Sequence, residues 1–210
     1  MSTPLVAYPR QFSRMTGDAG ARIFGHLEQW GMSEPAILTT LAVGVGILAG
    51  LSVLVFYRSI DVAADIIARV ATVLEIPTSI VAAASLAIGL TVVQLLVHYG
   101  NHDSDGENIP DVMHAVARRG GVLNLRPVVI KTLAAAVTLG SGGSLGAEGP
   151  VAVLGAAVGS RAGRWLRFRN DRVRLLLSCG AAAGLSAAFG APIAGVLFGL
   201  EKLVGSFRAS

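Results

Sequence analysis

The chain has 210 residues, of which 53% are hydrophobic and 14% are charged. About a quarter of the residues in an ordinary soluble domain are charged, so this composition excludes such a domain and predicts a membrane protein. The net charge of +4 does not indicate nucleic-acid binding, because the 17 lysines and arginines lie at the N-terminus, in short connectors and in one cluster between apolar segments.

Two uncharged segments near the N-terminus are long enough to cross a bilayer. Pro35 to Tyr57 and Ile76 to Val97 each contain more than twenty residues without a charged side chain, and about 20 apolar residues span the hydrocarbon core. Residues 1–33 carry several charges and lack the apolar region of a signal peptide. We therefore expect an N-terminal surface or cytoplasmic segment at 1–33 and a membrane domain at 34–210.

A short amphipathic helix is predicted between these spans, from Asp61 to Glu75. Apolar side chains recur in it every four residues, and the charged side chains fall on its other faces. Such a helix lies at the membrane surface or against the helix bundle. Its apolar residues are Val62, Ile66, Val70 and Leu74.

After the second span the apolar segments become shorter, and a proline opens each of them. Proline favours the first helical position, because its missing N–H would have no partner there. Three of these helices follow glycine-bearing, irregular backbone, which is tolerated at membrane depth where it is buried in protein or lines a watery cavity. We therefore predict an all-α, polytopic membrane protein with short, broken and tilted helices, as in transporters and channels. The prolines are Pro110, Pro127, Pro150 and Pro192.

Small residues are dense in the last third of the chain and predict close contact between helices. Gly44, Gly46 and Gly50 predict the same kind of contact for the first span. The small residues of the last third include Gly155, Ala156, Gly159, Gly180, Ala181 and Gly184.

The arginine cluster predicts a membrane-flanking, cytoplasmic loop. Cys179, the single cysteine, has no partner for an internal disulfide and is expected to be buried. The cluster consists of Arg161, Arg164, Arg167, Arg169, Arg172 and Arg174.

The stretch LGSGGSLGAEGP, from Leu139 to Pro150, fits two different chemistries. Gly142 to Gly146 match the G-x-S-x-G turn of a hydrolase, with Ser144 as the nucleophile. That fold needs a strand before the turn and a histidine after the serine. Here the preceding run is alanine-rich and follows a helix-start proline, and all four histidines precede Ser144. We therefore expect the chain not to be an enzyme.

The second chemistry is an anion site made of backbone amides. Glycines let N–H groups converge, and the helix opened by Pro150 places about half a positive charge at its first turn. Glu148 stands in an otherwise uncharged run from Thr132 to Ser160, and an ionisable group at membrane depth is a candidate functional residue. Glu148 either caps the helix or gates the site, since an ionised carboxylate competes with an anion and protonation releases it. The two roles can coexist.

Two segments, GSGGSLGAEGP and GAAAGLSAAFGAPIAGVLFGLE, resemble the CLC family of chloride channels and chloride/proton exchangers. The resemblance runs from the first span to the end of the chain, and Lys131 matches a lysine of the corresponding helix. It implies that Glu148 is the gate. It also implies an outer anion site at Gly146, Ala147 and Gly149, and inner and central sites in the loop with Gly106, Glu107, Asn108 and Ile109.

The resemblance further implies a homodimer in which each subunit holds a pore, with a small anion, chloride first, as ligand and with neither a metal nor an organic cofactor. The expected location is the inner membrane of a bacterium, as a multi-pass protein in contact with lipid. The chain resembles only the first of the family's two inverted halves. It is therefore expected to be a fragment or to need a second half-domain.

Glu107 stands where the family usually carries a serine that touches the central anion. Two like charges about 6 Å apart repel by roughly 3 kcal/mol at an effective dielectric constant of about 20. A helix N-terminus contributes only about 0.3 to 2 kcal/mol. An ionised Glu107 therefore points away, pairs with a cation, is protonated, or marks a member that is non-conducting or of different selectivity. A solvated acidic loop with Asp103 and Asp105 is the structural alternative.

Glu201 and Lys202 stand where exchangers of this family often carry two consecutive glutamates, the second of which relays protons. A lysine at the second position favours passive anion conduction or another proton path, and as a structural alternative Lys202 is a cation at a helix end. The sequence thus predicts anion permeation, as a voltage- or pH-gated channel or an anion/proton exchanger. The alternative is a non-transporting half-domain or scaffold that needs a partner half.

Overall fold

The computed structural model describes residues 34–73, 77–100 and 109–204. Within these ranges the regular structure is helical throughout, which confirms the predicted all-α class. In chain order the helices are α1 (Glu34–Val73), α2 (Thr78–Gly100), α3 (Ile109–Ala117), α4 (Leu125–Gly140), α5 (Glu148–Trp165), α6 (Asn170–Phe189) and α7 (Pro192–Phe198). A π-helical turn, Gly199–Val204, continues α7. The predicted surface segment at 1–33 lies outside the described residues.

Helix α1 joins two elements that the sequence predicted to be separate. The first span and the amphipathic segment form one continuous helix of 40 residues, because neither glycine nor proline occurs between residues 51 and 76 to break it. At 1.5 Å per residue it is about 60 Å long, roughly twice the hydrocarbon thickness of a bilayer.

The apolar stripe in the second half of α1 faces away from the bundle. Val62 and Ile66 are 55% and 57% exposed, and Val70 is also exposed. Of the two predicted placements, contact of this stripe with the bundle is not found among the described helices, and the placement at the membrane surface stays a prediction. The first half of α1 supplies the buried face instead, through Val45, Ala49, Val53 and Phe56.

Three described helices are long and apolar enough to cross a membrane: Ala36–Val73, Ser79–Gly100 and Asn170–Phe189. The first two correspond to the predicted spans. In α2 only 6% of the most apolar stretch is buried. This helix therefore contributes little to the core, and the described residues leave nearly all of its surface uncovered.

The four prolines lie in the first turn of a helix, as predicted. Pro192 is the first residue of α7 and Pro110 the second of α3, while Pro127 and Pro150 are the third residues of α4 and α5. Helix α3 has 9 residues and α7 has 7. Both are too short to cross a bilayer, which needs about 20 residues. The short and broken helices expected from the sequence are therefore present.

The central contact of the fold is the crossing of α5 and α6 through glycines. A Cβ atom added to Gly155 would fall on the carbonyl oxygen of Gly180, and one added to Gly159 would fall on the carbonyl oxygen of Leu176. The backbones can approach this closely only because these side chains are absent. The predicted small-residue packing is therefore confirmed here.

The glycines of the first span behave differently. A Cβ atom on Gly46 would lie 3.8 Å from the Cβ atom of Ala183, an ordinary van der Waals contact. At Gly44 and Gly50 no atom of the described residues lies within 4 Å of such a Cβ. The prediction of close packing is wrong for these two positions within the described chain.

Candidate functional site

The glycine-rich stretch begins with the cap of helix α4. Gly142 has a φ of 95°, its amide donates to the carbonyl of Leu139 at 3.1 Å, and the amide of Gly143 donates to the carbonyl of Thr138 at 2.8 Å. These two bonds, together with the positive φ of Gly142, form a Schellman motif. The amides of Gly142 and Gly143 are thus occupied by the α4 carbonyls, so the candidate anion-binding part of the stretch begins after Gly143.

Helix α5 starts at Glu148 and presents the remaining predicted residues. Its N-cap residue, Ala147, makes no side-chain capping bond, and the first turn closes with the amide of Val151 donating to the carbonyl of Ala147 at 3.1 Å. The amides at the start of a helix have no intrahelical acceptor. Gly146 and Gly149 flank this turn, so a small anion at the helix start could meet several N–H groups.

The carboxylate of Glu148 folds back toward the glycine before its helix. A Cβ atom added to Gly146 would contact Oε2 of Glu148, whereas one added to Gly149 would find no atom of the described residues within 4 Å. The side chain of Glu148 is exposed in the described structure. This position places its negative charge at the positive end of α5, where about half a unit charge resides.

The start of α3 lies on the same apolar cluster as the start of α5. Ile109, the predicted anion-site residue at the head of α3, and Ala147 both contact what we call the central cluster. Two helix N-termini therefore border one apolar region. Gly106, Glu107 and Asn108 lie outside the described residues, so their predicted roles remain predictions. The buried members of the central cluster are Val53, Phe56, Ala135, Ala136, Val151, Ala152 and Leu185.

The predicted proton-path residues lie in the π-helical turn that follows α7. Phe198, the last residue of α7, contacts the central cluster, and Glu201 is exposed three residues later. Lys202 belongs to the same turn. π-Helical turns occur frequently at functional sites. Through Phe198, the end of α7 borders the same region as Ile109 and Ala147, whereas Glu201 is not among the residues packed against it.

Residues 88–210 match the family described as voltage gated chloride channel. The chain is 36% identical over 206 residues to the H(+)/Cl(-) exchange transporter ClcA of Klebsiella pneumoniae, which is 94% of this chain and 42% of that relative. The chain belongs to the voltage gated chloride channel (CLC) family. ClcA of Yersinia pestis is 34% identical over 183 residues, covering 84% of the chain and 38% of the relative.

A third CLC relative, described as a putative chloride channel protein ClcB-like from Ralstonia nicotianae, is 36% identical over 132 residues. That match covers 61% of this chain and 30% of the relative. Across these three proteins the chain therefore matches between 30% and 42% of the relative's length. The predicted family and the all-α membrane fold are confirmed.

Ser144 lies in an exposed connection that follows a helix of this CLC fold. A hydrolase nucleophile of the G-x-S-x-G type sits between a strand and a helix. The described residues before Ser144 form α4 instead. The turn therefore lacks the strand on which that chemistry depends.

A buried serine that the sequence did not single out fixes the connection between α3 and α4. Ser160 is 0% exposed; its Oγ donates to the carbonyl of Gly121 at 2.7 Å and accepts from the amide of Leu123 at 3.0 Å. The partners are 39 and 37 residues away in the sequence. No local motif could have revealed this bridge.

Two members of the arginine cluster strengthen the same connection. Arg164 donates to the carbonyl of Leu123 at 3.1 Å, and Arg174 reaches the carbonyl of Ala117 at the end of α3 at 3.4 Å. A cation near a helix C-terminus is stabilising. The cluster spans the end of α5 and the start of α6, joined by residues 166–169. The predicted loop is therefore mainly helical. Arg174 holds the C-terminal end of α3, and Arg164 holds the connection that follows it.

Proposed function

We propose that this CLC-family chain forms the anion-handling part of a protein that moves a small anion, chloride first, across a membrane. The mechanism is transfer of the anion from water to backbone amides at the starts of α5 and α3, with Glu148 as the gate. Its strongest support is the fold-back of the Glu148 carboxylate over Gly146 at the start of α5. An ionised carboxylate there occupies the positive end of the helix that an anion would use.

Protonation supplies the opening step. Without its charge, the Glu148 side chain loses its attraction to the helix terminus, which is about 0.3 to 2 kcal/mol for exposed to partly buried groups. An anion can then take its place at the amides of Gly146, Ala147 and Gly149. Because a falling pH protonates this carboxylate and so removes the competitor of the anion, flux is expected to rise as the pH falls.

The names of the relatives support both modes of transport, since two are described as H(+)/Cl(-) exchange transporters and one as a putative chloride channel protein. Lys202 stands where exchangers of this family often carry the proton-relaying glutamate, so a lysine at this position supports passive conduction. We therefore propose a channel-like mode, in which Glu201 is the one carboxylate at the two positions where exchangers often carry consecutive glutamates. Fully coupled exchange is the alternative that measured proton movement can reveal.

The proposed assembly is a homodimer in lipid, located in the inner membrane of a bacterium, in which a second half-domain completes each pore. Helix α7 and the end of α6 expose large apolar side chains: Ile193 is 78% exposed, Leu197 58% and Phe189 58%. This surface also supports the second candidate, a non-transporting half-domain that binds a partner half through α6 and α7. The two candidates differ in whether the protein passes anions.

Chloride efflux from liposomes tests both candidates in one assay. The protein is reconstituted, and chloride and proton movements are recorded together between about pH 4 and pH 8. The transport candidate predicts efflux above that of empty liposomes and a pH dependence that is absent in the Glu148→Gln variant. Efflux without proton movement supports the channel-like mode. Efflux equal to that of empty liposomes would leave the half-domain candidate.

A further inference from the structure

Helix α2 contacts the rest of the fold most closely at a glycine. Within the described part of α2, Gly89 is the one buried residue. A Cβ atom added to Gly89 would overlap Oγ of Ser141 and would lie 2.5 Å from the Cβ atom of Ser141. The backbone of α2 therefore rests directly on the Ser141 side chain, and no larger residue fits at position 89 without displacing it.

A second contact joins the same helix face to the same residue. Ser85, four residues before Gly89 and hence on the same face, donates from Oγ to the carbonyl of Ser141 at 3.2 Å. The same hydroxyl lies 2.9 Å from the carbonyl of Ala82. One hydroxyl proton serves both acceptors, so this bond is a weaker restraint than the steric contact at Gly89.

Ser141 is the C-cap of α4 and the first residue of the connection that leads to Glu148. On the other side of this junction, helix α1 covers the preceding residue. A Cβ atom on Gly140 would lie 2.5 Å from the Cβ atom of Ala63 and 3.3 Å from the carbonyl oxygen of Ile60. The base of the connection is therefore held between α1 and α2, whereas its tip, residues 144–146, is exposed.

We propose that Gly89 and Ser85 are positioning residues for the gating glutamate. They fix Ser141, the Schellman bonds fix the next two residues to α4, and the remaining short segment then sets where Gly146 and Glu148 lie relative to the start of α5. The expected effect on flux rests on the proposed function, whereas the positioning of the segment that leads to Glu148 does not depend on it. It assigns to α2, the membrane-length helix with the smallest buried share, control over the geometry of the proposed gate.

The decisive variant is Gly89→Ala, which adds one methyl group at the contact with Ser141. To relieve the overlap, Ser141 and α2 must move apart, and any movement of Ser141 carries with it the segment that leads to Glu148. The pH midpoint of chloride efflux should shift by about half a pH unit or more, a roughly threefold change in apparent proton affinity. Gly44→Ala is the matched control, because it adds the same methyl group to a helical glycine where no described atom lies within 4 Å.

A double-mutant cycle separates positioning from a general loss of structure. Ser141→Gly removes both atoms that the new methyl group would meet. Gly89→Ala should therefore change the midpoint much less in the Ser141→Gly background than in the wild-type background. An equal effect in both backgrounds, or an effect of Gly89→Ala no larger than that of Gly44→Ala, would overturn the proposal.

Hydrogen exchange gives a readout that does not depend on transport. In Gly89→Ala the amides of Gly142 and Gly143, which are hydrogen-bonded to carbonyls of α4, should exchange about threefold faster or more, because movement of Ser141 weakens these two bonds. If the protein shows no flux that depends on Glu148, the proposed function is refuted, but the exchange measurement still tests the contact between Gly89 and Ser141. Unchanged exchange at Gly142 and Gly143 in a folded Gly89→Ala protein would refute the positioning role.

Ser85→Ala keeps the proposal testable if Gly89→Ala does not fold, since it removes one bond and adds no atoms. Its control is Thr91→Ala in the same helix, because Thr91 bonds only to the carbonyl of Ala87 within its own helix, at 2.8 Å. Ser85→Ala should speed exchange at the amides of Gly142 and Gly143 more than Thr91→Ala does. Equal exchange in the two variants would count against the proposal.

Discussion

The carboxylate of Glu148 lies so close to the α-carbon of Gly146 that any side chain at residue 146 would meet it. This contact joins the proposed gating residue to the backbone of the proposed anion site. The glycine at position 146 leaves room for the carboxylate in the position that we propose to be the closed one. Three consequences of this geometry and of the surrounding packing can be measured on single variants.

Gly146→Ala should open the gate at neutral pH. The new methyl group displaces the carboxylate from the start of α5 and so removes an interaction of about 0.3 to 2 kcal/mol. Chloride efflux at pH 7 should therefore rise by about two- to thirtyfold. Gly50→Ala, which adds a methyl group in open space, should leave efflux near the wild-type value. Lower efflux in Gly146→Ala than in Gly50→Ala would contradict this account of the contact.

Gly180→Ala should destabilise the crossing of α5 and α6. A methyl group at this position falls on the carbonyl of Gly155, and backbone at the centre of two packed helices cannot yield easily. Overpacking of this kind costs about 1 to 3 kcal/mol. Thermal unfolding in detergent should show a lower Tm than wild type, with Gly44→Ala close to wild type. A Tm equal to that of Gly44→Ala would mean that the helices are further apart than described.

Ser160→Ala should destabilise the fold through two unsatisfied backbone groups. The carbonyl of Gly121 and the amide of Leu123 would lose their shared partner in a site with no solvent exposure. Each unsatisfied buried group costs about 1 to 3 kcal/mol. Denaturant unfolding should report this loss, whereas Ser52→Ala, whose hydroxyl bonds within its own helix to Ala49, should have a small effect. Equal losses in the two variants would refute the bridging role.

Helix starts were the most predictable part of the fold. Proline fixes φ and lacks the amide that a first turn cannot use, so Pro110, Pro127, Pro150 and Pro192 marked helix starts to within two residues. The joining of the first span to the amphipathic segment was not predicted. Arg58 and Asp61 end the uncharged run and so suggested a boundary between the two elements. Charged residues are compatible with a helix, however, and α1 continues through both of them.

The candidate site was predictable only in part, because glycine serves several purposes. Glycines that cap α4 and glycines that flank Glu148 are adjacent in one stretch, and sequence alone does not separate Gly142 and Gly143 from Gly146. The long-range contacts carried no sequence signal at all. Ser160 bonds across 37 and 39 residues, and Gly89 meets Ser141 on another helix, so both depend on packing that only the folded chain defines.

The central claim is that the Glu148 carboxylate and a small anion compete for one helix terminus, and chloride binding measured against pH tests it most directly. Calorimetric titration of the full-length protein should give a Kd for chloride that falls as the pH falls, by up to about tenfold per pH unit. Glu148→Gln should bind chloride more tightly at neutral pH, with a Kd that no longer depends on pH. A Glu148→Gln protein whose chloride Kd keeps the wild-type pH dependence would contradict the account.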